Sequence, residues 1–198
     1  MKSFIFVCIS FFIFASVSKA QFNKGDFEFS FTGSLSSMTY ESSVNNSPYY
    51  QSGSHSETRT TGNISFSPGY YFVDNLSIEA EIGLSAVEKM QPSEYLLFNL
   101  SYTHLMSDSK VALFAHAGYG FSNSVEVSNY NNAIVRTSDK FDVKVINIGG
   151  GLKYMITPNV IARSEINYRI HKWTEDSFYS VDNKISNIAL VFGFSILI

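Results

Sequence analysis

The chain has 198 residues, of which 16% are charged and 16% aromatic, with a formal net charge of −3. That length suits a single domain, and the charge content lies well under the roughly one quarter found in soluble domains. An acidic balance with no run of Lys or Arg excludes a nucleic-acid partner, which needs a basic patch.

The first twenty residues read as an export signal rather than as part of the fold. Lys2 gives the positive start, residues 4–17 form an almost unbroken apolar run, and Ser18-Lys19-Ala20 places small residues where a signal peptidase looks. Cleavage is expected between Ala20 and Gln21, leaving 21–198 as one domain. The run is short for a membrane-spanning helix. Cys8, the single cysteine, leaves with it, and Phe6 and Val7 before it do not form a lipobox. The mature chain is then expected to carry no disulfide, thiolate or cysteine metal site.

From Gly25 onward the dominant period is two, the mark of strands with unlike faces. Phe27, Phe29, Phe31 and Leu35 alternate with Glu28, Ser30, Thr32 and Ser34; Ile64, Phe66, Tyr70 and Phe72 alternate with Asn63, Ser65, Ser67 and Gly69. Leu76, Ile78, Ala80 and Ile82 oppose Ser77, Glu79, Glu81 and Gly83. Leu96, Phe98, Leu100 and Tyr102 oppose Asn99, Ser101 and Thr103, and then Leu113, Ala115, Ala117 and Tyr119 oppose His116, Gly118 and Gly120. Ile146, Ile148, Leu152 and Tyr154 face away from Asn147, Gly149, Gly151 and Lys153; Ala162, Ile166, Tyr168 and Ile170 face away from Arg163, Glu165, Asn167 and Arg169. The last segment sets Ile188, Leu190, Phe192, Phe194, Ile196 and Ile198 against Asn187, Ala189, Val191, Gly193 and Ser195. Eight such segments result.

Their connections are short at Val73-Asp74-Asn75, Ser107-Asp108-Ser109 and Thr157-Pro158-Asn159, all turn-forming. Polar stretches at 41–57, 90–93, 123–139 and 173–183 separate the other pairs, and all but 90–93 are long. Tight turns at one end and long loops at the other predict an all-β, eight-stranded antiparallel up-and-down transmembrane barrel.

Alternation alone does not say which face points outward. A soluble binding barrel would turn the Phe, Ile and Leu face inward; a membrane barrel inverts this. Inversion is favoured because the polar face is mostly Ser, Gly, Asn and Ala, which suits the narrow lumen of eight strands better than a water-facing surface. Its charges also come in both signs. Glu28, Glu79, Glu81 and Glu165 can meet Lys153, Arg163 and Arg169 across the lumen as a structural ion network. Turned to lipid, each basic residue would cost roughly 2–4 kcal/mol at the midplane. Phe27, Tyr70, Phe72, Tyr102 and Tyr154 gather near the tight-turn end, where amphipathic rings suit a bilayer interface.

These stretches resemble the small outer-membrane β-barrel proteins of the OmpX, OmpA and OmpW type. Ser67-Pro68-Gly69-Tyr70-Tyr71-Phe72-Val73-Asp74-Asn75-Leu76 gives strand, turn and strand, and Gly149-Gly150-Gly151-Leu152-Lys153-Tyr154 before Thr157-Pro158-Asn159 repeats the logic. The resemblance implies location in the outer membrane, contact with its lipids, and recognition of the C-terminal strand by the barrel-assembly machinery. The usual last residue of that signal is Phe, and here it is Ile198.

No cofactor and no catalytic set is expected. His55 sits between serines in a long polar stretch, His104 lies at the tight-turn end, and His116 and His171 read as hydrogen-bonded lumen residues. Glu79 and Glu81 could serve acid–base chemistry or a metal, but nearby Arg and Lys favour ion pairing. The expected role is structural or surface binding, with Tyr49, Tyr50, Tyr130 and Trp173 as loop contacts for an unknown ligand. A conduit for small hydrophobic molecules and an outer-leaflet lipid enzyme are the alternatives.

Overall fold

Each period-two segment becomes a strand, and every strand pairs antiparallel with the next. The computed structural model describes residues 22–44, 54–87, 92–107, 109–123, 143–176 and 180–198. The strands are β1 (Phe27–Val44), β2 (Ser54–Val73), β3 (Leu76–Val87), β4 (Ser93–Leu105), β5 (Val111–Ser122), β6 (Val143–Met155), β7 (Val160–Asp176) and β8 (Ser180–Leu197). They close into one barrel in sequence order, β8 returning to β1 from Glu28 opposite Leu197 to Val44 opposite Val181. No helix occurs among the described residues. Closure leaves no unpaired sheet edge, which is the condition for strands to cross a bilayer.

Three tight connections and both ends of the barrel wall share one rim. Between β2 and β3 the chain turns through Asp74 and Asn75, and Asn75 has a φ of 66°. Asparagine tolerates that left-handed backbone better than most residues. After β6, the hydroxyl of Thr157 accepts from the amide of Val160 at 3.0 Å, closing the turn locally. Phe27 and Ile198 exchange backbone hydrogen bonds of 2.9 and 2.8 Å at the same rim.

Strands on the opposite side reach further than their apolar pattern. The stretches 41–57 and 173–183, read as loops from sequence, are partly strand: Ser43 pairs with Ser54, and Asp176 pairs with Ser180. Apolar alternation marks only the lipid-facing length of a strand, whereas the backbone ladder needs no apolar side chain and runs on beyond it. His55 accordingly lies in β2 opposite Ser42, not in a loop, and Trp173 lies in β7 opposite Asn183.

The two faces are inverted relative to a soluble protein. Leu35 is 72% exposed, Ile64 64% and Phe192 60%, while Lys153, Asn147 and Ser101 are fully buried. Bulky apolar residues of every strand form a continuous exposed band, larger than the patches soluble monomers tolerate. On the β1–β2 wall, Phe27 meets Tyr70 at 4.9 Å and Phe31 meets Phe66 at 4.8 Å between ring centroids.

Candidate functional site: the barrel lumen

Inward-facing side chains divide the lumen into layers. At the tight-turn end, Phe22, Tyr71, Ala112, Met155, Ile161 and Leu197 pack as a buried apolar floor. Phe22 comes from the segment before β1, its ring centroid lying 5.5 Å from that of Tyr71. Its carbonyl accepts from the amide of Asn75 at 2.9 Å, and the amide of Lys24 donates to Asp74 at 2.8 Å. Nearer the loop end, Tyr95, Leu97 and Val145 form a second apolar layer.

Charged residues lie between and beside these layers. Just above the floor, Lys153 Nζ donates to Glu28 Oε2 at 2.7 Å and to the hydroxyl of Tyr71 at 3.2 Å. The Tyr71 hydroxyl in turn donates to Glu28 Oε2 at 2.7 Å. Aromatic rings of Phe22 and Phe114 stand 5.3 and 5.1 Å from the same ammonium, supplying the cation–π contact that partly replaces lost water. Arg163 comes next. Its Nε donates to Glu165 at 2.8 Å and its Nη1 to Glu79 at 3.3 Å, with the guanidinium 4.5 Å from the Phe114 ring.

Toward the loop end, four side chains form a closed cycle. Arg169 Nη2 meets Glu81 Oε1 at 2.6 Å, and Arg169 Nε donates to Asn147 at 3.2 Å. Asn147 donates to Asn99 at 2.9 Å, and Asn99 donates back to Glu81 at 3.4 Å. The Tyr95 hydroxyl adds a 2.9 Å bond to Glu81, and its ring covers the Arg169 guanidinium at 4.7 Å. A buried charge is tolerable only when paired and hydrogen-bonded on its remaining sites, and in this cycle Arg169 and Glu81 have both.

Glycine spaces these bonds. Asn99, Gly118 and Asn147 are direct neighbours across β4, β5 and β6, and the two amides bond over the middle residue. His116, Gly149 and Asn167 repeat this across β5, β6 and β7, with His116 Nε2 2.7 Å from Asn167 Oδ1. A Cβ at Gly118 or Gly149 would fall on the bridging atoms themselves.

A profile of the outer membrane protein beta-barrel domain matches residues 5–194. The chain belongs to that family. Its location is the outer membrane. Among solved structures, the outer membrane protein OprG from Pseudomonas aeruginosa is 12% identical, with 91% of this chain and 99% of that chain covered and a TM-score of 0.52. The outer membrane protein AlkL, solved in lipid bilayers, is 15% identical, with coverages of 92% and 94% and a TM-score of 0.50. At such identities the likeness is one of fold. No functionally curated protein matches the chain.

The structure brings together all seven lumen charges named from sequence: Glu28, Glu79, Glu81, Lys153, Arg163, Glu165 and Arg169 are buried and ion-paired. Ala20, Gln21, Tyr49, Tyr50 and Tyr130 lie outside the described residues, and Trp173 is placed only by its backbone in β7. Sequence reasoning missed the inward rings Phe22, Tyr71, Tyr95 and Phe114. For three of them the signal was parity: Tyr71 is two residues from Gly69, Phe114 two from His116, and Tyr95 four from Asn99. Among the described residues no group of three or more His, Cys, Asp or Glu could hold a metal.

Proposed function

We propose that this chain is a non-enzymatic outer-membrane barrel plugged by its own side chains. Its work, structural or surface-binding, is then done at the loop end. The observation that carries this reading is the Glu81, Arg169, Asn147 and Asn99 cycle, which ties β3, β4, β6 and β7 together across the axis. Apolar layers around Phe22 and around Leu97 support it from either side. A solvated ion or sugar would have to break several buried charge-assisted bonds to pass, each worth about 1.5–3 kcal/mol.

Reconstitution into planar bilayers tests the plug: the expected trace is a flat baseline, and stable single-channel openings would replace this reading with that of a conduit. Mass spectrometry of lipid A with and without the protein tests the non-enzymatic assignment, where no acyl-chain change is expected. Tyr49, Tyr50, Tyr130 and Trp173 are the proposed surface contacts. Outer-membrane lipids and, during biogenesis, the barrel-assembly machinery are the proposed partners. The mature chain is proposed to begin at Gln21, which the intact mass of the purified protein checks directly.

A further inference from the structure

The buried charges of the lumen do not cancel. Four carboxylates, Glu28, Glu79, Glu81 and Glu165, face three fixed cations, Lys153, Arg163 and Arg169, so one negative charge is left over among the described residues. Its position follows from the pairing. Glu81 has Arg169 to itself and Glu28 has Lys153, but Arg163 is divided between Glu165 at 2.8 Å and Glu79 at 3.3 Å. Glu79 is therefore the carboxylate that shares its cation, and at the longer distance.

Around Glu79 lie buried oxygens with no hydrogen-bond partner in the protein. Glu79 Oε1, Glu28 Oε1, Ser77 Oγ and Ser101 Oγ are all in this state, and each of these side chains is more than nine-tenths buried. They are neighbours by register. Ser77 stands opposite Ser101, two residues along β3 from Glu79, and Glu28 and Glu79 flank Gly69 across β1, β2 and β3. At the Gly118 and Gly149 rows, a donor and an acceptor meet and bond. At Gly69 the residues on either side are both carboxylates, Glu28 and Glu79.

We propose that Glu28, Glu79, Ser77 and Ser101 bind one sodium ion in the lumen. All four donors are oxygens, the preference of a hard cation. One surplus charge calls for a monovalent ion; a divalent one would overshoot, and it would sit near Arg163 and Lys153 with too few carboxylates. The ammonium and guanidinium approach only the Oε2 atoms, leaving both Oε1 atoms to the ion. The imidazole of His116, beside Ser101 across β4 and β5, and Asn99, beside Glu79, complete the surroundings. Sodium binding does not depend on whether the lumen conducts, so the two readings fail separately.

The test is the thermal unfolding midpoint of the full mature barrel in zwitterionic nanodiscs, at pH 8 and constant ionic strength, with sodium chloride exchanged for choline chloride. Preferential binding to the folded state raises the midpoint, and a saturable rise of about 2–4 °C in sodium is expected. Ser77→Ala combined with Ser101→Ala keeps every ion pair but removes two ligands; it is expected to lose the sodium-dependent rise. Glu79→Gln removes the surplus charge and is expected to abolish the sodium dependence as well. A wild-type midpoint equal in sodium and choline overturns the site. A serine variant that keeps the full sodium response overturns it equally.

Discussion

Asn167 sets the tautomer of His116. The amide of Asn167 donates through Nδ2 to Glu165 Oε1 at 2.7 Å, and an ionised carboxylate can only accept. Its Oδ1 is thereby turned toward His116 Nε2, 2.7 Å away, so that nitrogen must carry the hydrogen. A chain of fixed polarity results, from the Arg163 guanidinium through Glu165 and Asn167 to the imidazole.

That chain passes over Gly149, and Gly149→Ala is expected to destabilise the barrel by about 1–3 kcal/mol, because a methyl there displaces the His116–Asn167 bond. Urea unfolding in phospholipid vesicles measures it. Adding Asn167→Ala should recover part of the loss, since the clash partner is then gone. Equal and additive penalties would show that the two residues do not meet.

Arg169→Met is expected to cost about 3–5 kcal/mol by leaving Glu81 buried without its partner. Arg169→Met with Glu81→Leu should be markedly more stable than the single variant, because both desolvated charges are then absent. The double-mutant cycle in the same vesicles gives the coupling.

Position in the bilayer predicts a gradient on the outer face. Arg in place of Ile148, at the middle of β6, is expected to cost about 2–4 kcal/mol, and Arg in place of Ile156, past its end at the tight-turn rim, about 0–1 kcal/mol. Both side chains are exposed, at 56% and 47%, so burial in protein cannot explain a difference. Unfolding titrations that rank the two the other way would place the hydrocarbon band elsewhere on the wall.

Phe22→Ala is expected to destabilise by about 3–5 kcal/mol, as for other large buried aromatics. The variant also uncovers the Lys153 ammonium, 5.3 Å from that ring. A shift of the heat-dependent gel mobility change to lower temperature reports the loss. An unaltered transition would mean that the floor stands without this ring.

The barrel was legible in the sequence because alternation in a membrane barrel is enforced twice, by lipid outside and by lack of space inside. The segment from Ile188 to Ile198 shows both limits, with Phe192 and Phe194 outward and Gly193 and Ser195 inward. Lumen charges were legible for the same reason, since an Arg or Glu among outward Ile and Tyr residues has only one tolerable direction. Individual partners were not. Arg163 bonds Glu79 from a strand 84 residues away, and nothing local announces which carboxylate it meets. The inward rings were hidden by their chemistry: Tyr71 between Tyr70 and Phe72 resembles one more residue of an aromatic outer wall. Strand ends were hidden too, because the polar extensions of β1, β2, β7 and β8 resemble loops in composition.

Glu28 stands at the start of the wall and Lys153 is separated from it by 125 residues, yet they form one 2.7 Å contact. Before the first and last strands zip together along their shared seam, that ammonium has no counter-ion. In an open sheet that ammonium needs water in place of its carboxylate, and the lining around it stays wet. Drying of the lumen is thus tied to closure of the seam between β1 and β8. A chain cut short before β8 could lie against a membrane but could not dry its interior, so neither terminal strand is dispensable.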